Sequence, residues 1–122
     1  MRSRELDRFG AFVVEKLWDD PMEHHRTLAR GKAKAPSQQA LQRRLAAADP
    51  ATRRLVRDCV VEALSTATHG FLAALQESHD LEKGMAFLVD GKNVAAVSEW
   101  LQAEPFGADG WVARYSKQRR RP

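Results

Sequence analysis

The residues with the clearest chemical capability are histidines and carboxylates, which bind metals or carry protons. His24 and His25 are neighbours, and neighbours on a helix point about 100° apart, so the pair cannot bind one ion without further ligands. Asp20 and His24 have the i, i+4 spacing of ligands on one helix face, but Asp20 stands where a helix cap is expected. We therefore interpret the two histidines as exposed side chains of a short helix.

A polar stripe follows one side of a predicted long helix. It consists of Asp58, Glu62, Ser65 and His69. These residues fall within about 60° of one another, and such a row can supply half of a di-metal site. No other segment has a matching Glu-x-x-His pair, and the stripe lies opposite the apolar face of the same helix. We therefore predict a solvated surface there.

The doublet His79-Asp80 lies near the end of the same helix. Segment 75–83 around it resembles the His-Asp doublet of the HD-domain phosphohydrolases, which are all-helical enzymes. The resemblance implies one or two bound divalent metals that generate hydroxide near neutral pH. It also implies an upstream ligand and a later one, with candidates His24, His25, His69, Asp90 and Asp109. A polar helix end accounts for the doublet equally well, so our prediction is no metal, with His79 and Asp80 as the alternative.

Cys59 is the only cysteine, which rules out a disulfide within the chain and is typical of a reducing compartment. It falls between Val56 and Val60 on the apolar face of the long helix, so we predict a buried, inert thiol. The sequence has no glycine-rich phosphate loop, no Gly-x-Ser-x-Gly elbow and no Cys-x-x-Cys pair. We expect no cofactor, and a non-enzymatic protein.

The net charge of +4 is unevenly distributed. Every charged residue from 26 to 57 is basic except Asp49, whereas acidic residues outnumber basic ones from 58 to 115. Residues 117–122 form a basic tail that we expect to be disordered. Because basic surfaces bind phosphates, nucleic-acid binding is the alternative function. Its candidate residues are Arg43, Arg44, Arg53, Arg54 and Arg57.

Aromatic residues gather near the end of the acidic half, among carboxylates and one arginine. Aromatic and arginine side chains are the commonest anchors of protein interfaces, so this cluster predicts a surface for a peptide, a ligand or a second subunit. The alternative is that it seals a β element onto the helices. The candidate residues are Trp100, Phe106, Trp111, Arg114 and Tyr115.

Cap signals divide the chain into the helices that position these residues. Ser3 caps a helix through about Trp18, and Asp20-Pro21 starts a second helix that stops at Gly31. A third helix spans 36–47. Asp49-Pro50 starts the longest helix, about 50–79, against which the others pack. Its predicted core face is Val56, Cys59, Val60, Ala63, Ala67, Phe71 and Ala74.

After Gly84 the pattern changes. The apolar run 85–89 followed by Asp90-Gly91 predicts a tight hairpin. A competing interpretation is a helix from Val94 to about Glu104, and both hold if the second strand is very short. Segment 111–115 alternates as a strand would.

The length of 122 residues fits one compact domain, so we predict a mainly α fold over 1–116. It has about five helices around the long central one, and a small β-hairpin or short strands after Gly84. No apolar run approaches the ~20 residues of a membrane span, and no signal peptide is evident. We therefore expect a cytoplasmic protein with no membrane partner, which acts by binding a protein partner or by self-association as a homodimer.

Overall fold

The computed structural model describes residues 3–118. It is mainly helical with a short two-stranded sheet, which confirms the predicted fold class. None of the described helices combines the length and the apolar composition that crossing a membrane requires. The helices are α1 (Arg4–Val14), a π-helical turn (Glu15–Asp19), α2 (Asp20–Ala29), α3 (Pro36–Ala47) and α4 (Pro50–Asp80). They are followed by β1 (Leu88–Val89), β2 (Lys92–Asn93), a 3-10 turn (Leu101–Ala103) and α5 (Trp111–Tyr115).

Local sequence signals fix the start of α4 and the end of α2 where the sequence predicts them. The Asp49 carboxylate accepts the backbone N–H of Thr52 at 2.7 Å, and Pro50 takes the first helical position, where its missing N–H leaves no bond unmade. Gly31 adopts a φ of +70° and ends α2, a conformation that glycine adopts at little cost.

The predicted break between the first two helices is wrong. The chain continues through Pro21 because the turn before it widens: the N–H of Asp20 donates to the carbonyl of Glu15, five residues back. A proline ring crowds the carbonyl four residues earlier, and a π turn is one way in which a helix accommodates it. Asp20 therefore caps nothing, and its carboxylate lies 3.4 Å from the Lys16 ammonium.

The core is formed by α1, the C-terminal half of α4, the segment from β2 to the 3-10 turn, and α5. The Trp111 ring stands edge-on to Phe9, with centroids 5.8 Å apart. It also presses against Gly10, where an added Cβ would lie 2.6 Å from the indole, so glycine is required there. The fully buried side chains include Trp111, Phe9, Leu72, Leu101, Val13, Val14 and Val94.

The segment after α4 confirms the hairpin and corrects the elements around it. Asp90 and Gly91 both have positive φ, 51° and 80°, as a tight hairpin turn requires. The helix predicted over Val94–Glu104 is wrong, since only Leu101–Ala103 forms a helical turn. The strand predicted at 111–115 is wrong as well, because this segment is α5, whose Trp111 and Tyr115 both face the core at i, i+4 spacing.

The face of α4 predicted to form the core is largely exposed. Cys59, Ala63, Ala67, Phe71 and Ala74 are exposed, and Val56 and Val60 are half-buried. The buried residues of α4 are instead Thr68, Leu72, Gln76 and Ser78. No residue of α3 is buried, and none of α4 before Thr68. Helical periodicity therefore identified an apolar face correctly but not what covers it.

Candidate partner-binding surfaces

An apolar groove of about 400 Å³ runs between the first helix and the middle of α4. Two of its large side chains are substantially open to solvent, Phe12 with 48% and Phe71 with 42% of its surface exposed. Thr68 is buried in it, and its hydroxyl has no hydrogen-bond partner in the part of the chain that the structure describes. The apolar groove is defined by Phe12, Leu17, Ala67, Thr68, Phe71 and Phe87.

The elements that build the groove explain why sequence reasoning missed it. Phe12 comes from α1, Leu17 from the π turn, and Phe87 from the approach to the hairpin, where its ring centroid lies 6.0 Å from that of Phe12. Since these residues are distant in sequence from Phe71, no local pattern indicates that they meet. The small residue Ala67 of α4 also lines the groove. At Gly70, next to Phe71, an added Cβ would meet no atom within 4 Å.

A second concavity, the aromatic cleft, contains part of the predicted partner-binding cluster. It measures about 530 Å³, and Trp100, Phe106 and Arg114 all line it. Trp111 takes no part in it, because its ring is fully buried in the core. Tyr115 is half-buried beside the cleft, with the Arg114 guanidinium 4.9 Å from its ring centroid. The structure therefore brings together some of the predicted residues and assigns the others to packing.

Carboxylates give the aromatic cleft an acidic character. Asp7 lies 3.5 Å from the Arg114 guanidinium, and Glu104 accepts a hydrogen bond from the Ser98 hydroxyl at 3.2 Å. Glu99 and Asp109 also line the cleft. The Trp100 side chain, 65% exposed, stands among them.

The predicted nucleic-acid residues gather at the opposite end of the molecule. Arg43 and Arg44 on α3, and Arg53, Arg54 and Arg57 on α4, are all exposed. The ion pairs within the described residues involve other cations. A basic surface without internal carboxylate partners can receive an anion.

The predicted metal candidates do not converge. His79 and Asp80 are exposed, and the Asp80 carboxylate accepts a hydrogen bond from the Gln76 side chain at 3.2 Å. Between residues 3 and 118 no three histidine, cysteine, aspartate or glutamate side chains lie close enough to hold a metal. In the polar stripe, Asp58, Glu62 and His69 are exposed, and Ser65 is half-buried with its hydroxyl donating to the carbonyl of Val61.

The predictions for one histidine and for the cysteine are wrong. His24 is exposed, but His25 is buried between α2 and the start of α4, where burial first, and then the positive charges of Arg57 and His24, lower its pKa. Cys59 is exposed rather than buried. Both errors have one cause, since the true neighbours of α2 and α4 are set by tertiary packing.

Two buried polar side chains were missed by sequence reasoning. The Gln76 amide donates to the carbonyl of Ala95 at 3.3 Å and accepts the N–H of Leu101 at 2.9 Å, which holds the loop that carries Trp100. The Asp19 carboxylate accepts the Ser116 hydroxyl at 2.7 Å and the N–H of Lys117 at 2.9 Å. The predicted disordered tail starts at 117, yet Lys117 and Gln118 contact the first helices; residues 119–122 lie outside the described residues. Neither role has a local sequence signal.

Comparisons of the chain with models of protein families, with curated proteins and with solved structures found no match.

Proposed function

We propose that the protein is a non-enzymatic protein-interaction module that self-associates through the apolar groove and the adjoining exposed face of α4. The observation that supports this is a long helix whose apolar face stays open to solvent. Burying a Phe or Leu side chain stabilises a structure by about 1.5–3 kcal/mol relative to leaving it exposed. Phe12, Leu17 and Phe71 are all more than one-third exposed at one site, so covering them is strongly favourable.

Charge favours a second copy of this chain as the partner. Helix α4 has 31 residues and is therefore about 46 Å long. Its start carries Arg53 and Arg54, whereas Glu77 and Asp80 lie at its end. Antiparallel pairing of two α4 helices sets each basic start beside an acidic end and opposes the two helix dipoles. Such a pair has the two-fold symmetry of most homodimers.

Small residues at the centre of the exposed face allow two helices to approach closely. Ala63, Ala67, Gly70 and Ala74 recur at spacings of three and four, which places them along one side of α4. A glycine inside a helix costs about 1 kcal/mol relative to alanine, and no atom within 4 Å of a Cβ at Gly70 explains that cost within one chain. A neighbouring helix packed on Gly70 does explain it.

The mass of the protein in solution tests this proposal. We expect sedimentation equilibrium of the wild type to give twice the chain mass at micromolar concentration. Phe71→Glu and Phe12→Glu should give the monomer mass, because each would bury a charge in the interface. Trp100→Glu is the matched control, since it places the same charge at an exposed aromatic in the aromatic cleft, and it should leave the dimer intact.

Two outcomes would contradict the proposal. A wild type that remains monomeric at about 100 µM, well above ordinary homodimer dissociation constants, excludes self-association. A dimer lost in Trp100→Glu but retained in Phe71→Glu moves the interface to the aromatic cleft. Circular dichroism of each variant shows whether a loss of dimer is a loss of folding.

Cross-linking of single cysteines tests the antiparallel arrangement. In an antiparallel pair whose two-fold axis passes between residues 66 and 67 of α4, only residues near that point meet their own copies. A Cys59→Ser/Ala67→Cys variant should therefore cross-link with a short bis-maleimide, whereas native Cys59 should not. Adding Ala74→Cys to the native chain should restore cross-linking, because 59 and 74 are equally far from the centre. Efficient cross-linking of Cys59 alone would indicate parallel helices instead.

A second candidate function, nucleic-acid binding, is favoured by the exposed arginines at the opposite end from the aromatic cleft. A nucleic-acid binder should bind a generic oligonucleotide with an affinity that falls steeply with salt. The logarithm of the binding constant should fall with the logarithm of the salt concentration, with a slope of about −0.9 for each phosphate contacted. Replacing Arg43, Arg44, Arg53 and Arg54 with glutamine should weaken binding and flatten that slope. Absence of binding at low salt would eliminate this function.

A further inference from the structure

A small pocket between α2 and the start of α4 collects positive charge. It measures about 210 Å³, and its polar lining is provided by His25, Arg26, Arg30, Arg57 and Gln118. Arg26 lies on α2 and Arg30 is the C-cap one turn later, while Arg57 approaches from α4. No carboxylate among the described residues lines the pocket. Three arginine residues therefore line one small pocket without a carboxylate in its lining.

The pocket walls are held in place by contacts that do not use up the positive charge. The Arg26 guanidinium donates to the side-chain oxygen of Gln118 at 3.1 Å, a neutral acceptor. The Gln118 amide nitrogen in turn donates to the Glu23 carboxylate at 3.0 Å, outside the pocket lining. This chain of hydrogen bonds orients Arg26 and leaves its charge uncompensated within the pocket.

His25 contributes a buried imidazole to the same pocket. Only 9% of its surface is exposed. It has arginines on two sides, because it also lines a second cavity with Arg44 of α3. Burial, then Arg57 and then His24, lower its pKa, and no hydrogen bond contributes to the shift. The charged and titratable groups around it are thus Arg44, Arg57, Arg26, Arg30 and His24, all basic. An anion is the species that would relieve this repulsion.

We propose that this pocket binds one tetrahedral oxyanion of the phosphate class, either free or as the terminal group of a phosphomonoester. Guanidinium groups suit this ligand because their planar forks donate paired hydrogen bonds to phosphate oxygens. The cavity has the volume of about seven liquid waters at about 30 Å³ each, which accommodates a tetrahedral anion and part of its hydration shell. This site is separate from the apolar groove and does not depend on self-association.

The experiment follows the ring resonances of His25 by NMR while sulfate replaces chloride at constant ionic strength. Sulfate is a dianion throughout the range from pH 5 to 8, so the probe itself does not titrate. We expect a saturable shift and a rise in the pKa of His25, because a bound dianion favours the imidazolium form. Performing the titration on the Phe71→Glu variant keeps it independent of dimer formation.

Two matched arginine variants decide whether the pocket or general charge is responsible. Arg30→Gln and Arg57→Gln should each weaken sulfate binding about tenfold to a hundredfold, the cost of a lost charged hydrogen bond. Arg54→Gln removes the same charge from a neighbouring exposed position on α4 and should change binding less than about twofold. Equal losses in all three variants, or a shift of His25 that does not saturate, would overturn the site.

Inorganic phosphate and a nucleoside monophosphate, both compared at pH 8, identify the source of the anion. Equal or tighter binding of inorganic phosphate supports a site for the free ion. Tighter binding of the monophosphate, with the same dependence on Arg30 and Arg57, supports a phosphomonoester site. If neither displaces sulfate from the His25 pocket, the assignment to the phosphate class is wrong.

Discussion

The two halves of α4 have different surroundings, although one unbroken helix forms both. In the C-terminal half, Leu72 is fully buried and Gln76 is held by the loop that packs over it. In the N-terminal half no residue is buried, and Leu55 is 62% exposed. There α2 and α3 lie along one side of the helix, and residues of all three helices line a cavity of about 340 Å³.

The C-terminal half of α4 therefore stabilises the fold, whereas the N-terminal half presents its side chains to other molecules. The C-terminal half buries large side chains from α1, α5 and the loop after β2, and buried apolar area is the dominant stabilising term. The N-terminal half and α3 have few such contacts, so local opening there should cost little. The N-terminal half also carries Arg53, Arg54 and Arg57. The exposed apolar face of α4 extends from this half into the C-terminal half.

The largest expected effect is the loss of the core tryptophan. Trp111→Ala should destabilise the monomer by about 3–5 kcal/mol, because it removes a fully buried ring that packs against Phe9 and Gly10 of α1. Leu55→Ala, which truncates a large apolar side chain in the other half, should cost less than about 0.5 kcal/mol in the monomer, in line with exposed positions. Urea denaturation at low protein concentration measures both. Similar losses in the two variants would mean that the N-terminal half is packed as tightly as the core.

Two glutamines, one in each region, allow a comparison of like side chains with a smaller expected loss of stability. Gln76 bonds to Ala95 and Leu101 in the core, and Gln42 of α3 bonds to both the N–H and the carbonyl of Ala33, at 2.9 and 3.1 Å. Gln76→Leu leaves buried backbone groups unpaired, at about 1–3 kcal/mol each. Gln42→Leu should cost less than about 1 kcal/mol, since water reaches its half-buried site.

Urea denaturation of the two leucine variants measures this difference, with Gln102→Leu as a further control because its side-chain oxygen has no partner among the described residues. Gln102→Leu should change stability little. If Gln42→Leu proves as costly as Gln76→Leu, then α3 is docked as firmly as the loop after β2.

The features that the sequence predicted well are those that neighbouring residues decide. The Asp49-Pro50 start of α4 depends on one side chain and one N–H three residues later, and the hairpin depends on two adjacent residues with positive φ. Gly31 ends α2 for the same reason. Caps and tight turns involve few residues, so the local sequence is sufficient to determine them.

The features that the local sequence pattern did not predict depend on residues far apart in the chain. The apolar pattern of α4 is real, but which part of it is covered depends on the elements that pack against it, and these come from both ends of the chain. Cys59 and His25 were misplaced for that reason. Five residues at 111–115 are too few to distinguish a strand from a helix, and Trp111 packs against Gly10, about a hundred residues earlier in the chain. In the candidate site, sequence analysis identified Trp100, Phe106 and Arg114 but not the apolar groove.

The smallest expected effect is a dependence of stability on pH, and it arises beside the N-terminal half of α4. The pKa of His25 in the folded chain lies below its ordinary value of 6.5, mainly because of burial. The unfolded chain therefore takes up a proton first as the pH falls through 6.5, so stability decreases below that pH and the loss levels off once folded His25 is also protonated. Subtracting the urea-denaturation profile of His25→Gln from that of the wild type between pH 5 and 8 isolates this contribution. His24→Gln, a change at the exposed neighbour, should keep the wild-type dependence of stability on pH.

Hydrogen exchange locates the effect. Because His25 contacts α3 and the start of α4, amides there should lose protection first as the pH falls, while amides around Leu72 keep theirs. An equal loss in both halves would mean that they open as one unit.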